Sequence, residues 1–438
     1  MMNNIPLSKE QLRIVNSEDR NIIVAAGAGA GKTRVLTERV KRLLNSGVDA
    51  TGIVVITFTN LAAEELQERL VNTPNASRCF IGTIHSLANT LLSTKYNFSI
   101  YTQEIQDGYM KFLINHYAKY ATYDDYETLM DAFKQMRFGL CKFETIVQTF
   151  QPKVLDELYI LLNYNQVHDT LDYRDYPQDV TTMSRVNNVI TFDELLQKCS
   201  EYFHNHDTHI NYLFVDELQD VGYLEYDFLK ELGAEHNFFI GDDYQAIYGF
   251  KGGDVQIFLS LLRDAGWSPY YLVENYRNGA IILQYANSII KNAKDIIPKK
   301  SICKSGKIGS VDIANKSEFP KFLSGFTNGT YTDYKDWFIL VRNNSELTKI
   351  AKMLEVRNIP YVTFRNSEVS KAEKDRLLNA NAVKVLTIHM SKGSESKNVV
   401  LYGNFILNPT PKSNSEELKV FYVGITRTEE QLFIFNGK

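Results

Sequence analysis

Features that would assign a chain to an extracellular, membrane or metal-binding class are missing from this sequence. Four cysteines occur in 438 residues, and the spacing of Cys79, Cys141, Cys199 and Cys303 fits neither a zinc site nor a disulfide framework. Such sparse cysteine is typical of a reducing compartment. The N-terminal stretch lacks a basic start followed by an apolar segment. No apolar run approaches the roughly 18 residues that a membrane span needs. We therefore expect a cytoplasmic protein with no membrane partner.

An excess of positive charge is also missing, because the chain carries a formal net charge of −4. This balance argues weakly against nucleic-acid binding, since many such domains are basic. The acidity is concentrated between Ile100 and Ile190, a segment that contains thirteen Asp and Glu residues but eight Lys and Arg residues. By contrast, Lys291 to Lys307 contains six lysines and only Asp295 as an acid. Such a run indicates either a solvated surface or a set of phosphate contacts.

The hydrophobic pattern predicts an α/β protein with parallel sheets. Apolar runs at Asn21–Ala26 and Ile53–Phe58 alternate with helical periods at Thr33–Leu44 and Ala62–Leu70. Strands that are apolar on both faces and alternate with helices are typical of a doubly wound sheet. We predict a first domain from residues 1–94 and 188–273, a mostly helical insertion at 95–187, and a second α/β domain at 274–438.

The sequence AGAGAGKT follows the first apolar strand and precedes a helix, which is the setting that a phosphate-binding loop requires. Small residues let backbone N–H groups surround phosphates, and the helix N-terminus adds partial positive charge. A glycine-rich turn without a nucleotide role is the alternative. On the phosphate interpretation Lys32 contacts the β- and γ-phosphates and Thr33 holds Mg²⁺. The predicted nucleotide contacts in the loop are Ala26, Gly27, Ala28, Gly29, Ala30, Gly31, Lys32 and Thr33.

An acidic pair, Asp216 and Glu217, follows the apolar stretch Tyr212–Val215. Ligands of parallel sheets gather at the carboxyl ends of the strands. Asp216 is therefore a candidate metal ligand, and Glu217 is a candidate for polarising the attacking water. A solvated turn is the alternative, and the loop at Lys32 favours the catalytic interpretation.

Phosphoryl transfer also needs cations that stabilise the developing negative charge. Arg277, in the sequence ENYR, and Arg427, in the sequence GITRT, are the candidates in the second predicted domain. Two arginines could also be ordinary surface residues. Their position beyond the first domain predicts a catalytic cleft between two sheets.

These sequences together resemble the UvrD/Rep/PcrA-type superfamily 1 DNA helicases in a compact form. The resemblance extends from Leu7 to Ile434 and is interrupted by the acidic insertion. It includes ITFTNLAAEEL (Ile56–Leu66), GTIHSLA (Gly82–Ala88), GDDYQAIYGF (Gly241–Phe250) and LTIHMSKGSES (Leu386–Ser396). The family fold implies two RecA-like P-loop NTPase domains with a helical insertion in the first. Only about 18 residues, Asn366 to Val383, separate the strand predicted in IPYVTF from the strand predicted in VKVLTIH, so we expect no second accessory domain.

The resemblance also implies roles for individual residues. Gln11 would contact adenine, Tyr276 would stack on it, Glu395 would meet the ribose and Arg39 would help bind the nucleotide. Gln245 would sense the γ-phosphate and join Lys32, Glu217, Arg277 and Arg427 in catalysis. The residues implied in DNA binding are Phe58, Thr59, Asn60, Thr83, His85, Tyr248, Phe250 and His389. Taken without the resemblance, Phe58 and Phe250 would be core residues.

The implied activity is ATP- and Mg²⁺-dependent translocation on single-stranded DNA in the 3′ to 5′ direction, with unwinding at single-strand/duplex junctions. A second hypothesis is a DNA-stimulated ATPase subunit of a repair or phage-defence nuclease complex that separates little duplex by itself, with a nuclease or a replication or repair factor as its protein partner. An RNA substrate and a binding-only scaffold are further alternatives. Hydrolysis of ATP, and its response to DNA or RNA, distinguishes these hypotheses.

Overall fold

The computed structural model describes residues 6–96, 98–100, 111, 114–129, 148–158, 189–190, 192–204, 209–249, 252–364 and 371–437. These residues form two compact units. One contains residues 1–84 and 207–438, and the other contains residues 85–206. Phe250 and most of the predicted insertion lie outside the described residues. The predicted domain boundaries stay a prediction.

The larger unit contains two parallel six-stranded sheets, and the first confirms the predicted α/β fold. Its strands have the order β3-β2-β6-β7-β1-β8. They are β1 (Asn21–Ala26), β2 (Ile53–Ile56), β3 (Phe80–Gly82), β6 (Tyr212–Val215), β7 (His236–Gly241) and β8 (Ser268–Leu272). The associated helices are α1 (Lys9–Asn16), α2 (Lys32–Asn45), α3 (Asn60–Leu70), α6 (Tyr223–Glu231) and α7 (Val255–Leu261).

The strands of the first sheet bury apolar side chains on both of their faces. Ile22, Ile23 and Val24 in β1 are fully buried, as are Ile53 and Val55 in β2. Each sheet face is covered by helices, so an uninterrupted apolar run is favourable along the whole strand. The carboxyl ends of β1, β6 and β7 consequently lie side by side at one edge of the sheet.

The second sheet is also parallel and has the order β11-β16-β15-β12-β14-β13. Its strands are β11 (Ser310–Asn315), β12 (Trp337–Val341), β13 (Tyr361–Val362), β14 (Val383–Thr387), β15 (Ser396–Gly403) and β16 (Thr428–Asn436). The helices around it are α8 (Ala280–Ile290), α9 (Phe319–Thr327), α10 (Asn344–Glu355), α11 (Lys371–Asn379) and α12 (Ser415–Thr426). Two short parallel strands, β9 (Glu274–Asn275) and β10 (Ile302–Cys303), pair apart from both sheets.

One hydrophobic cluster joins residues of the two sheets. Ala28 of the predicted phosphate loop, together with Tyr244 and Ile247 after β7, packs with Leu386 of β14 and Tyr422 of α12. Burying apolar area in this way contributes about 25 cal/mol per Å². The two sheets of this unit are therefore packed together at the edge where the candidate site lies.

The smaller unit contains α4 (Ile84–Ser93) apart from its first residue, the paired strands β4 (Ser99–Ile100) and β5 (Val189–Ile190), and α5 (Phe192–Phe203). Residues 123–129 and 152–158 are also helical. None of the helices in the described ranges combines the length and the apolar character that a membrane span requires.

Candidate functional site

The predicted phosphate loop connects β1 to α2 in the expected geometry. Gly29 and Gly31 have φ values of +63° and +83°, which only glycine adopts readily. Gly31 is the N-cap of α2, so the helix begins at Lys32 and directs its free N–H groups toward the loop. The Gln11 side chain donates a hydrogen bond to the carbonyl of Ala30 at 3.0 Å. The loop and the predicted adenine-binding glutamine are therefore in direct contact.

The sequence ENYR packs against the same loop. Asn275 donates a side-chain hydrogen bond to the carbonyl of Ala28 at 2.7 Å, and the Tyr276 N–H donates to the carbonyl of Gly29 at 3.0 Å. A Cβ atom on Gly29 would lie 2.8 Å from the Cβ of Arg277, so no larger residue fits. The Tyr276 hydroxyl donates to Glu274 Oε2 at 2.7 Å. These contacts hold Arg277 and Tyr276 beside the loop.

The acidic pair lies at the end of β6 and faces Lys32. Lys32 Nζ is 3.0 Å from Glu217 Oε2. Burial and the negative charge of Glu217 raise the pKa of Asp216. For Glu217, burial opposes ionisation, but the ammonium groups of Lys32 and Lys392 outweigh it and lower the pKa. Burial also acts against charge on Lys32, whose pKa is nevertheless raised by Glu217, Asp242 and Asp216.

The residues at this edge fit a nucleotide with Mg²⁺. The loop offers backbone N–H groups around glycines that approach their neighbours closely, and α2 adds its N-terminal dipole. Thr33 lies in the first turn of α2, and Asp216, which is only 6% exposed, follows β6. Carboxylate and hydroxyl oxygens are the hard donors that Mg²⁺ prefers. Thr33 and Asp216 remain the candidate metal ligands.

Arg427 reaches the first sheet from the end of α12. Its guanidinium donates to the Val423 carbonyl at 3.1 Å, to the Ser394 carbonyl at 3.3 Å and to Gln245 Oε1 at 3.0 Å. It is 1% exposed, and burial beside Arg277 lowers its pKa to about 9. Gln245, predicted to sense the γ-phosphate, thus connects the turn after β7 with the second sheet.

Arg277 and Glu395 also meet at the site. Their side chains form an ion pair, and Arg277 Nη1 lies 3.4 Å from the Thr426 carbonyl that it donates to. Glu395 was predicted to contact the ribose, and in this structure it neutralises Arg277. Lys32, Glu217, Gln245, Arg277 and Arg427 therefore converge, whereas the ribose contact of Glu395 stays a prediction.

Sequence reasoning missed Lys392, which follows β14 in the second sheet. Its ammonium forms an ion pair with Asp220, donates a hydrogen bond to the Gln245 carbonyl at 3.0 Å and lies 3.9 Å from Glu217 Oε2. Burial and the charge of Glu217 raise the pKa of Asp220, although Lys392 acts in the opposite direction. The sequence signal that could have identified it is the position of Lys392 directly before Gly393 in LTIHMSKGSES, because the family resemblance already included this motif.

Arg39 has contacts that differ from its predicted role. Its guanidinium donates to the carbonyls of Ile14 at 2.8 Å and Val15 at 3.2 Å, and it lies 5.3 Å from the ring centroid of Phe238. Burial lowers its pKa to about 10. Arg39 therefore fastens the last turn of α1, the helix that carries Gln11, onto α2. A direct contact with the nucleotide stays a prediction.

Three of the predicted DNA-binding side chains form a row. The rings of Phe58 and Tyr248 stack with centroids 5.0 Å apart. The Tyr248 hydroxyl donates to the carbonyl of His389 at 3.2 Å, and their rings are 6.1 Å apart. Burial and the positive charge of Arg342 lower the pKa of His389 to about 4. The row joins the end of β2 to the end of β14.

The remaining predicted DNA-binding residues are distributed over both units. Thr59 caps α3 by accepting a hydrogen bond from the N–H of Ala62, and Asn60 is the first residue of that helix. Both are exposed. Thr83 follows β3 in the larger unit. His85, in the smaller unit, contacts the ring of Phe192 at 5.0 Å.

Family models and known relatives match this chain over most of its length. The family model described as the UvrD/REP helicase N-terminal domain matches residues 7–266, and the UvrD-like helicase C-terminal domain matches 270–368 and 363–437. A probable DNA helicase of Mycoplasma pneumoniae is 26% identical over 98% of this chain and 83% of its own length. The ATP-dependent DNA helicase Rep of Escherichia coli is 28% identical over 77% of this chain.

The ATP-dependent DNA helicase PcrA of Staphylococcus aureus is 26% identical over 81% of this chain. The matched part covers 52% of Rep and 50% of PcrA, so the chain spans about half the length of these two relatives. The N-terminal family model alone covers more than half of the chain. Because the two family models together match most of the chain, the chain belongs to the UvrD/Rep helicase family.

Proposed function

We propose that the protein is an ATP-dependent motor that moves 3′ to 5′ along single-stranded DNA and unwinds duplex DNA at junctions. One observation supports this most strongly. Arg427 of the second sheet contacts Gln245 of the first, beside Lys32 and the acidic pair. Groups from two sheets that meet around a nucleotide can convert hydrolysis into relative movement of those sheets.

In the proposed reaction, residues of this chain bind the nucleotide, orient the attacking water and stabilise the negative charge that develops. Lys32 and the loop N–H groups hold the phosphates, and Thr33 and Asp216 would hold Mg²⁺, which would neutralise phosphate charge. Glu217 orients and polarises the water once phosphates compete for Lys32. Arg277 and Arg427 stabilise the negative charge that develops on the phosphoryl oxygens. Gln11 and Tyr276 hold the base.

The proposed DNA path runs along Phe58, Tyr248 and His389, with Phe250, Thr59, Asn60, Thr83 and His85 as further contacts. Stacking on aromatic rings contributes roughly 1–3 kcal/mol per base and does not depend on sequence, which suits a translocating protein. We propose residues 1–94 with 188–273, and 274–438, as the two RecA-like domains and 95–187 as the insertion. A cytoplasmic location is part of the same proposal.

Strand displacement tests the direction. Two duplexes of identical sequence, one with a 3′ single-stranded tail and one with a 5′ tail, are incubated with protein, ATP and Mg²⁺. We expect displacement of the 3′-tailed duplex only, and none by Lys32→Ala. Displacement confined to the 5′-tailed duplex would refute the proposed direction.

A second candidate is a DNA-stimulated ATPase that needs a partner, such as a nuclease or a replication or repair factor, to separate strands. The observation that favours it is the compact build, because β13 ends at Val362 and β14 begins at Val383, which leaves no room for a second accessory domain between them. ATP hydrolysis that single-stranded DNA stimulates, without strand displacement from either tailed duplex, would support this function over unwinding. Equal stimulation by poly-uridine would indicate an RNA substrate, and no hydrolysis at all would indicate a binding-only scaffold.

A further inference from the structure

Lys299 is a buried cation within the lysine-rich segment 291–301, which connects α8 to β10. Its ammonium lies 3.1 Å from Asp242 Oδ1, forms an ion pair with Asp243 and lies 3.7 Å from the ring centroid of Tyr244. Its side chain is 1% exposed, and those of the two aspartates are fully buried. The lysine run was expected to form a solvated surface or phosphate contacts. Lys299 does neither, because it faces the turn after β7.

The backbone of the segment is fastened to the same turn. The Tyr244 hydroxyl donates to the Lys299 carbonyl at 2.8 Å and accepts from the Lys299 N–H at 2.8 Å. The Ile297 N–H donates to Asp243 Oδ2 at 2.5 Å. Lys299 is therefore held in register with Asp242 and Asp243 by neighbouring main-chain contacts, and does not depend on its own long side chain for placement.

A buried chain of polar contacts leads from Lys299 to the candidate catalytic residues. Asp242 pairs with the Lys299 ammonium through Oδ1. Its other carboxylate oxygen, Oδ2, accepts a hydrogen bond from Gln245 Nε2 at 2.6 Å. Gln245 Oε1 in turn accepts from Arg427 Nη2 at 3.0 Å. Asp242 and Gln245 are 0% and 5% exposed, so water does not substitute for these contacts.

This series of polar contacts allows only one orientation of the Gln245 amide. A carboxylate only accepts hydrogen bonds and a guanidinium only donates them. Turning the amide over would direct its NH₂ group at Arg427 and its carbonyl at Asp242, and both contacts would become repulsive. The orientation depends on an ionised Asp242. Two adjacent buried carboxylates are costly without a counter-charge, and Lys299 supplies it.

Lys299 keeps its charge in this position. Burial opposes the ammonium form, but the carboxylates of Asp242 and Asp243 outweigh burial and raise the pKa of Lys299. Removing the ammonium would leave two buried negative charges side by side. The turn would then relax, and Gln245 would lose its fixed acceptor.

We propose that Lys299 is a positioning residue for ATP hydrolysis, which orients Gln245 toward Arg427 through Asp242. The proposal rests on the proposed function, because it assumes that Gln245 acts on the γ-phosphate. Among the described residues, the side chain of Lys299 contacts Asp242, Asp243 and Tyr244 in the turn after β7, so it acts on the site through other side chains. Its loss should therefore slow turnover and leave the binding of the base and sugar unchanged.

The test is a double-mutant cycle on steady-state ATP hydrolysis with saturating poly-deoxythymidine. The proteins are the parent chain, Lys299→Met, Gln245→Ala and the variant with both changes. A misplacement of about 1 Å at a reacting centre costs on the order of a hundredfold, so we expect Lys299→Met to lower kcat by about ten- to a hundredfold. KM for ATP should change less than about threefold, because Gln11 and Tyr276 are untouched.

The cycle separates a positioning role from a merely structural one. If Lys299 acts through Gln245, adding Lys299→Met to Gln245→Ala should lower kcat no further. If the double variant instead loses kcat by the product of the two single-variant factors, the proposal is wrong. Lys300→Met, an exposed neighbour, is the matched control and should hydrolyse ATP like the parent. If Lys299→Met does not melt cooperatively, the same cycle is run in an Asp243→Asn background, which removes one of the two buried negative charges.

The remaining outcomes are also decisive. A Lys299→Met protein with the parent's kcat would overturn this inference and leave the proposed function intact. A parent chain that hydrolyses no ATP with or without DNA would instead refute the proposed function. Recovery of kcat when Asp243→Asn is added to Lys299→Met would support charge balance as the cause.

Discussion

Charged side chains at the candidate site are held by opposite charges from distant parts of the sequence. Lys32 pairs with Glu217, Arg277 with Glu395, and Lys392 with Asp220. The Lys392–Asp220 pair is the most buried of the three, with side chains 10% and 1% exposed, and removing one partner of such a buried pair typically costs about 3–5 kcal/mol. Phosphates that enter would compete for Lys32 and the arginines. The pairs therefore keep the cations in position and charged for an anionic substrate.

Replacing Arg427 with lysine should greatly reduce ATP hydrolysis. Three nitrogens of Arg427 donate to three different acceptors, and an ammonium on a flexible stem cannot reproduce this planar geometry. We expect kcat to fall at least about a hundredfold, since loss of such an arginine costs 10³–10⁵ in related chemistry. Arg376→Lys, on the exposed part of α11, is the control in the same ATPase assay. Equal kcat values for the two variants would contradict the role of Arg427.

His389 should make the protein less stable in acid. Its pKa is about 4 in the folded chain, against 6.5 for an ordinary histidine, so the unfolded chain takes up the proton first as the pH falls. This contribution to stability is fully present above pH 6.5 and is lost between pH 6.5 and 4. We expect about 2–3 kcal/mol to be lost by pH 4.5.

Urea denaturation at pH 7 and pH 4.5 measures this effect. His389→Gln has no imidazole to protonate, so the free energy of unfolding of this variant should decline less than that of the parent over the same interval. Identical declines in the two proteins would show that another group is responsible.

At the scale of elements, the phosphate loop is shaped by close packing as well as by backbone conformation. Gly29 and Gly47 both have positive φ, but only Gly29 has a neighbour where a Cβ would be, 2.8 Å from Arg277 Cβ. Replacing either glycine with alanine should lower the free energy of unfolding by about 1–3 kcal/mol, because alanine is strained at these φ values. Only the change at Gly29 should also displace the ENYR segment.

Gly29→Ala should therefore raise KM for ATP and lower kcat, whereas Gly47→Ala, with open space around it, should change neither by more than about twofold. Thermal unfolding of both variants checks that their stability losses are similar. ATPase activity that declines equally in both would indicate that backbone strain alone, and not the contact with Arg277, controls the loop.

Local sequence patterns predicted the elements well and the side-chain pairs poorly. The apolar stretch Tyr212–Val215 forms a strand with the same bounds, because it is a short apolar run that is buried in the sheet. Ile53–Phe58 was predicted as one strand, but β2 ends at Ile56, and Phe58 leaves the sheet to stack on Tyr248. Lys299 looked like a surface lysine because its partners lie more than fifty residues away. Burial of a charge depends on such distant partners, which no local pattern contains.

At the scale of the whole molecule, the larger unit packs two parallel sheets against one shared hydrophobic cluster. The candidate catalytic residues lie beside this cluster, and so does the row of Phe58, Tyr248 and His389. Gln245 and Tyr248 are three residues apart in the same turn, so a change at the nucleotide reaches the proposed DNA path over a short distance. This proximity is the physical basis for expecting DNA to stimulate hydrolysis.

The most direct test is the rate of ATP hydrolysis with and without poly-deoxythymidine, measured for the parent chain and for Lys32→Ala. We expect the DNA to stimulate hydrolysis by the parent at least about tenfold, and we expect negligible hydrolysis by Lys32→Ala under either condition. Hydrolysis that does not respond to single-stranded DNA, or that persists in Lys32→Ala, would contradict the proposal that this chain is an ATP-driven motor acting on DNA.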